Sequence, residues 1–98
     1  MQLMKLITAV IRPFKLDVLR DAVAHMGVQG VTVTELHEIE FGPRCKVEIA
    51  VDDAIAEAAL EAIANVARTG RAGDGHITIG ELDEAIRIRT GETGAAAT

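Results

Sequence analysis

The residues best suited to chemistry in this chain are a glycine-rich turn and two arginines that follow it. The turn, residues 69–75, ends in Gly-Asp-Gly, and the arginines are Arg87 and Arg89. Glycines let a backbone approach a ligand and aim its N–H groups at it, while guanidinium groups fork around phosphate oxygens. Both arginines alternate with Ile86 and Ile88, so on a strand they project from one face. The pattern predicts an anion site, although a solvated turn followed by an ordinary half-buried strand explains it equally well.

The hydrophobic pattern predicts the elements that must position these groups. Residues 6–11 form a short apolar run typical of a central strand. Apolar residues at helical spacing predict a first helix, capped by Gly27, with Leu16, Leu19, Val23 and Met26 on its inner face. Residues 31–34 and 45–51 alternate in polarity and predict two further strands, separated by a break at Gly42-Pro43.

A second helix and a last strand complete the pattern. Asp52 or Asp53 supplies the N-cap, Gly70 ends the helix, and its apolar stripe consists of Ile55, Ala59, Ile63 and Val66. Ile77 and Ile79 predict a short strand that continues after Gly80 through Ile86 and Ile88. The order β-α-β-β-α-β predicts an α+β fold of ferredoxin-like type, an antiparallel sheet with both helices on one face. Residues 1–98 are expected to form a single domain, and its small, polar end, residues 91–98, is expected to be mobile.

Composition and charge exclude several functional classes. The 98 residues are 49% hydrophobic and carry a net charge of −5, which predicts a globular domain and argues against a general nucleic-acid or membrane binder. Since a core of this size is marginal, association with further copies would help to hold the fold together. The sequence has no run of about twenty apolar residues and no signal-peptide layout, so we expect a cytoplasmic protein.

The cysteine, histidine and aromatic residues exclude further functional classes. Cys45 is the single cysteine and lies on an apolar strand pattern, which predicts a packing role in a reducing cytosol. The three histidines stand far apart in sequence, so no metal site is expected. Phe14 and Phe41 are the only aromatic residues, which argues against a base-stacking platform for single-stranded nucleic acid.

Residues 69–92 closely resemble the C-terminal signature of the PII signal-transduction family, with its TGxxGDGxI turn and terminal IRIRTGE. Three further blocks agree with that family in the right order, namely residues 5–17, 27–35 and 46–51. The resemblance therefore covers nearly the whole chain. Four ordered blocks are far more specific than one glycine motif.

The resemblance implies that an adenine nucleotide, ADP, AMP or ATP, binds between two subunits of a homotrimer. It implies no prosthetic group and assigns nine contact residues: Thr32, Arg44, Glu48, Gly73, Asp74, Gly75, His76, Arg87 and Arg89. The phosphates would meet the last two arginines. Without the resemblance, Thr32 would be explained by strand propensity and Glu48 by a solvated face.

One region departs from the family pattern. Similar proteins have a long loop between the second and third strands, with a tyrosine and with a glutamine that helps to hold 2-oxoglutarate and a metal ion. Here residues 35–37 run almost directly into residues 38–41. Either the loop is deleted, or its residues are missing from the sequence. His76 and Arg44 also stand where the family usually has lysines, which predicts weaker support for a third phosphate, ADP or AMP bound at least as well as ATP, and little response to 2-oxoglutarate.

The expected function is regulation by binding. A protein of this kind senses adenine nucleotides and docks on a transporter or enzyme in nitrogen or inorganic-carbon metabolism, meeting a membrane only through a transporter. A small phosphoryl-transfer or phosphatase-type enzyme is the alternative, because the fold permits catalysis. The chain has no serine and no recognisable nucleophile-plus-base pair, and His76 is its best candidate acid or base. A trimer without any ligand is a third possibility.

Overall fold

The computed structural model describes residues 4–28 and 30–82. The predicted strand residues 86–89, including Arg87 and Arg89, and the tail 91–98 lie outside the described residues. Four strands, two α-helices and one short 3₁₀ helix follow one another in this order: β1 Met4–Ile11, the 3₁₀ helix Pro13–Lys15, α1 Leu16–Ala24, β2 Val31–Glu38, β3 Gly42–Asp52, α2 Asp53–Ala67 and β4 His76–Leu82.

The strands form one antiparallel sheet in the order β2-β3-β1-β4. β1 is therefore central and pairs along most of its length with both β3 and β4. Its buried, apolar character follows from this position, since a central strand has no solvent-facing edge. The element order and strand arrangement confirm the predicted α+β, ferredoxin-like fold.

Both helices pack on the same face of the sheet. Alternate residues of β1 and β3 point into one core, in which Ile7 and Ile49 are almost fully buried. Leu19 and Val23 of α1 and Ile63 of α2 meet them there. The alanines of α2 bring that helix close to the strands, because Ala56, Ala59 and Ala67 are all buried in the same cluster. The predicted inner stripes of both helices are thus confirmed, with Leu16, Met26, Ile55 and Val66 packed at its margin.

The opposite face of the sheet has no helix over it among the described residues. Cross-strand pairing sets Thr32, Glu48, Thr8 and Thr78 in one row, and Thr34, Lys46, Val10 and His76 in the next. We call this surface the open face. It also presents Leu6 beside Ala50 and Gly80, so it combines an apolar strip with polar groups. Such a face suits a contact with another protein surface better than contact with water alone.

The β2-β3 hairpin extends further than the alternation in the sequence indicated. β2 continues to Glu38, and β3 begins at Gly42, so the predicted break at Gly42-Pro43 is wrong. Pro43 pairs with His37 beyond the end of β1, where no strand on its other side needs its missing N–H. Three residues close the hairpin, and Gly42 follows them with φ of +73°, the left-handed conformation typical of three-residue hairpin loops.

Other element ends differ less from the prediction. Asp52 is the N-cap of α2, and its side chain accepts a 2.8 Å hydrogen bond from the backbone N–H of Ala54. Gly27 follows α1 with φ of +80°, as a helix-ending glycine should. α2 ends at Ala67 instead of reaching Gly70. β4 runs unbroken through Gly80, because that glycine pairs with Leu6 of the central strand.

Candidate functional site

The glycine-rich turn, residues 69–75, is organised around the carboxylate of Asp74. This carboxylate accepts hydrogen bonds from the backbone N–H groups of Thr69 and Gly70, at 2.8 and 2.9 Å. It also accepts one from the hydroxyl of Thr69 and one from Nε of Arg12, the latter at 3.3 Å. Arg12 further donates to the carbonyl of Ala72 at 2.7 Å. Asp74 therefore holds the turn closed from inside, and Arg12 ties it to the end of β1.

These donors change the acidity of Asp74. The Thr69 hydroxyl has the largest effect, and with the two backbone N–H groups and the Arg12 guanidinium it holds the pKa of the Asp74 carboxyl well below its usual range. Burial acts in the opposite direction but does not outweigh them. Hydrogen bonds to the ionised form favour that form. Asp74 is accordingly an anion at neutral pH, and its role within the described residues is to shape the turn.

The glycine at each end of the Gly-Asp-Gly motif is required by the structure. Gly75 has φ of +102°, and a Cβ added there would stand 1.7 Å from the carbonyl oxygen of Val10. Gly73 has φ of +92°, and a Cβ there would come within 3.0 Å of Nη2 of Arg44 and of the Phe41 ring. Neither position tolerates a larger residue without movement of its neighbours. The turn thus packs directly against β1 on one side and against the β2-β3 hairpin on the other.

Arg44 is brought to this turn by the hairpin. Its side chain is only 3% exposed, its guanidinium lies over the Phe41 ring at 4.9 Å, and its Nε is 3.3 Å from Oε1 of Glu38. Within the described part of the chain, neither Nε nor Nη1 has a hydrogen-bond partner. An arginine buried with donors unsatisfied is a natural place for an anionic group to bind.

Thr32 and Glu48 lie together, but some distance from the turn. They pair directly across β2 and β3 on the open face. Oε1 of Glu48 lies 3.9 Å from Nζ of Lys46. His76 is the first residue of β4, exposed on the same face. Since β2 and β4 are the outer strands of the sheet, Thr32 and His76 are three strand spacings apart across the sheet, about 14 Å. Among the described residues, the predicted contacts therefore form two groups, Thr32 with Glu48 on the open face and Arg44 with the glycine turn at the end of the sheet.

The sequence reasoning missed Arg12, Phe41 and Glu38. Arg12 directly follows the buried strand β1. The abrupt change from apolar to charged residues there was the only indication in the sequence that Arg12 has a structural role. Phe41 and Glu38 enter through the short hairpin, whose closure places them beside Arg44. Arg87 and Arg89 were predicted to contact phosphates and lie outside the described residues, so their assignment stays a prediction.

Two cavities flank the site. One of about 430 Å³ lies against the hairpin, between Pro13, Leu36, His37 and Arg44, and the other, of about 300 Å³, lies between the end of α2 and residues 74–77. Among the described residues, no three potential metal-ligating side chains cluster together. None of the helices in the described part is long and apolar enough to span a membrane.

Fold and site together define a ferredoxin-like α+β domain with a rigid glycine turn at the edge of its sheet. Residues 4–92 match the family model described as "Nitrogen regulatory protein P-II". Proteins of that name from Rhizobium meliloti and Rhodospirillum rubrum are 45% and 43% identical, with 93% and 96% of this chain covered and 96% and 99% of the relatives. The chain belongs to the nitrogen regulatory protein P-II family.

Solved structures agree with this assignment. The chain is similar to Arabidopsis thaliana PII bound to citrate, with a TM-score of 0.88, 34% identity and coverage of 96% of this chain and 88% of the other. It is also similar to the Bacillus subtilis GlnK–ATP complex, with a TM-score of 0.90, 30% identity and coverage of 98% and 96%. The alignment with the Rhizobium meliloti protein spans 108 positions although this chain has 98 residues. That relative therefore has residues without a counterpart in this sequence.

We predict that Gly75→Ala destabilises the fold far more than Gly70→Ala. Both glycines have positive φ, but a Cβ at Gly70 would meet nothing within 4 Å, whereas at Gly75 it would clash with the Val10 carbonyl. The strain of left-handed backbone alone should cost about 1 to 2 kcal/mol of unfolding free energy, and the clash should raise the cost at Gly75 above about 3 kcal/mol. Urea denaturation of both variants measures this difference, and equal losses would contradict the close contact between Gly75 and β1.

We also predict that the Asp74 carboxylate stabilises the turn only above its protonation range. Its pKa is lowered from the ordinary 3.8, so its contribution is fully present above that value and is lost as pH falls below it. The unfolding free energy of the natural chain relative to Asp74→Asn should therefore be constant from pH 7 to pH 5 and shrink below pH 4. Denaturation at a series of pH values tests this, with Asp21→Asn on the exposed face of α1 as control. A difference that grew on acidification would show the opposite linkage.

Proposed function

We propose that this protein senses adenine nucleotides and reports their presence by docking on a partner protein. The observation that carries this proposal is the rigid Gly73–Gly75 turn with the buried Arg44 guanidinium beside it. Backbone N–H groups of a glycine turn and an arginine together suit phosphate oxygens. A solved relative, the Bacillus subtilis GlnK–ATP complex, has the same fold and is 30% identical, which supports the choice of nucleotide.

We place the nucleotide between subunits of a homotrimer. Thr32 and Glu48 lie toward one edge of the sheet and the glycine turn leads into the strand at the other edge. Three strand spacings, about 14 Å across the sheet, separate Thr32 from the strand that the turn enters. A neighbouring copy could bring its Thr32 and Glu48 to this chain's turn. The open face, with Leu6 and Ala50 in its apolar strip, gives such copies a surface to bury.

Binding accounts for the site better than catalysis does. Cys45 is 7% exposed and belongs to the hydrophobic core, which removes the best nucleophile among the described residues. Asp74 is fully engaged within its own turn. His76 could donate a proton, but a phosphate contact explains its position at the end of the turn equally well. In the described part of the chain, no group of side chains therefore supports the alternative of a phosphoryl-transfer enzyme.

The ligand preference follows from the groups that the site offers. Position 76 carries a histidine instead of a lysine, whose ammonium would supply a permanent compact positive charge beside the turn. The three-residue hairpin also leaves no long loop to close over the nucleotide. We propose that ADP or AMP binds at least as well as ATP, with little response to 2-oxoglutarate, and that Arg87 and Arg89 hold the phosphates. The regulated partner would be a cytoplasmic enzyme or a transporter in nitrogen or inorganic-carbon metabolism.

We predict that the protein is a trimer in solution. The open face exposes apolar residues that a single chain cannot cover with its two helices, and association removes them from water. Light scattering on a sizing column should give three times the chain mass of 10.4 kDa. Thr8→Lys would place a charge in the middle of that face and should lower the mass toward one chain, whereas Arg20→Ala on α1 should not. A monomeric natural chain at micromolar concentration would exclude the proposed site between subunits.

We predict that Arg87→Ala and Arg89→Ala each weaken nucleotide binding by about 1.5 to 3 kcal/mol, the scale of a hydrogen bond to a charged group. Arg20→Ala, on the exposed face of α1, is the matched loss of charge and should leave binding unchanged. Calorimetric titrations with AMP, ADP and ATP, with and without 2-oxoglutarate, measure this at pH 7.5 and pH 6. Unchanged affinity in both variants would reject the two arginines, and clear ATP preference strengthened by 2-oxoglutarate would reject the ligand assignment.

A further inference from the structure

Arg12 holds the glycine-rich turn at two points. Its Nε donates a 3.3 Å hydrogen bond to Oδ1 of Asp74, and its Nη2 donates a 2.7 Å hydrogen bond to the carbonyl of Ala72. These two acceptors belong to the residues on either side of Gly73. Since a guanidinium is planar and its donors have a fixed geometry, the two contacts together fix Gly73 relative to the end of β1.

The backbone of Arg12 is itself held in place. Arg12 has φ of −66° and ψ of 138°, so the extended backbone continues one residue beyond β1. Its carbonyl accepts a 2.9 Å hydrogen bond from the N–H of Lys15 in the following 3₁₀ helix. Two residues before Arg12, the Val10 carbonyl lies against the Gly75 backbone. The end of β1 is therefore a firm base from which Arg12 positions the turn.

The contact with Ala72 controls the direction of one backbone donor. The Ala72 carbonyl and the Gly73 N–H belong to the same peptide unit, and in a planar trans peptide these two groups point in opposite directions. Because Arg12 holds the carbonyl, the Gly73 N–H is directed away from Arg12. Among the described residues, none of the hydrogen bonds of the turn uses that N–H. The turn therefore keeps one backbone donor that an anion could engage.

Arg12 also compensates the negative charge inside the turn. The Asp74 carboxylate, next to Gly73 in sequence, would repel a phosphate group that approached this donor. Nε of Arg12 lies 3.3 Å from that carboxylate, and the two side chains are 28% and 23% exposed. At this exposure, water and salt screen the pair less than they would screen two fully exposed charges. The same guanidinium thus directs a donor and reduces a repulsion.

We propose that Arg12 is a positioning residue for phosphate binding at the glycine-rich turn. It acts through Ala72 and Asp74, by directing the Gly73 N–H and by compensating the carboxylate, and not by donating to the ligand itself. The inference rests on the proposed function, because the phosphate is that of the bound nucleotide. It assigns a role in binding to a residue outside the predicted contacts.

The role in binding is tested by calorimetric titration of the full chain with ADP and with inorganic diphosphate. Arg12→Met removes the charge and both hydrogen bonds, so each probe should bind at least about 10-fold more weakly, the loss of one hydrogen bond to a charged group. Arg12→Lys retains the charge and can reach one of the two acceptors, so its affinity should lie between those of Arg12→Met and the natural chain. Arg20→Met, an equal change on the exposed face of α1, should alter binding less than about 2-fold.

Equal affinities of the natural chain and Arg12→Met would overturn the proposal. Should Arg12→Met fail to fold, Arg12→Lys should still bind diphosphate more weakly than the natural chain, and an unchanged affinity there would overturn the proposal in the same way.

The direction of the Gly73 N–H is tested separately by NMR spectroscopy. Ala72-Gly73 is the single Ala-Gly pair in the sequence, so labelling alanine with ¹³C at the carbonyl and glycine with ¹⁵N selects the Gly73 amide signal. This signal should move in Arg12→Met before any ligand is added, and diphosphate should shift it less in that variant than in the natural chain. An unmoved signal in the ligand-free variant, together with weaker binding, would show that Arg12 contacts the phosphate directly, and would overturn the positioning role.

Comparison of the two probes separates this inference from the proposed function. If ADP binds the natural chain and Arg12→Met equally, nucleotide sensing stands and the positioning role is wrong. If diphosphate binding depends on Arg12 while no adenine nucleotide binds, the positioning role stands and the nucleotide proposal is wrong. Binding of neither probe to the natural chain would reject both.

Discussion

The close approach of the Gly75 backbone to the carbonyl of Val10 determines how the site is built. Val10 belongs to the central strand, and the absence of a side chain at Gly75 lets the turn enter β4 directly against it. That contact places His76 opposite Val10 and brings Gly73 to the arginine side chains. Asp74 secures the arrangement from inside by accepting hydrogen bonds from Thr69 and Gly70 at the start of the turn and from the Arg12 side chain. The shape of the site and the position of its charged groups thus depend on the close contact between the Gly75 backbone and the Val10 carbonyl.

β1 occupies the centre of the sheet and so separates the two outer strands. With β3 and β4 on either side of β1, Thr32 and Glu48 fall toward one margin and the glycine turn toward the other. The helices cover only the opposite face. Within residues 4–28 and 30–82, the domain therefore has one sheet face without a helix over it and two separate groups of polar residues. Association of copies would address both conditions at once, since it buries apolar area and joins complementary edges.

The short hairpin changes the character of the arginine beside the turn. In a tight three-residue connection Phe41 and Glu38 cannot move far from β3, and they cover Arg44. The guanidinium loses water, keeps one counter-ion and retains unsatisfied donors. Dehydration makes a charged group more sensitive to any acceptor that reaches it. The residues that close this hairpin therefore set the environment of the Arg44 guanidinium.

Local pattern was enough to predict the element types, the fold class and the core. The alternation of residues 45–51, the helical stripe containing Leu19 and Val23, and the cap at Asp52 are short-range features, because burial and backbone geometry impose them within a few residues. The resemblance to a known family, carried by the Gly-Asp-Gly turn and its flanking blocks, supplied the predicted position of the site, which stays a prediction.

The partners of each site residue could be decided only by the tertiary structure. Nothing in the spacing of Arg12 and Asp74, 62 residues apart, shows that they meet. The same is true of Arg44 and Gly73, which come together only because the hairpin and the turn pack at one end of the sheet. The extent of the hairpin also depended on pairing, since Pro43 is tolerated only where no further strand lies beside it. The sequence pattern contains local periodicity only. The burial of Arg44 and the link between Arg12 and the Asp74 carboxylate arise from contacts between segments that are distant in the chain.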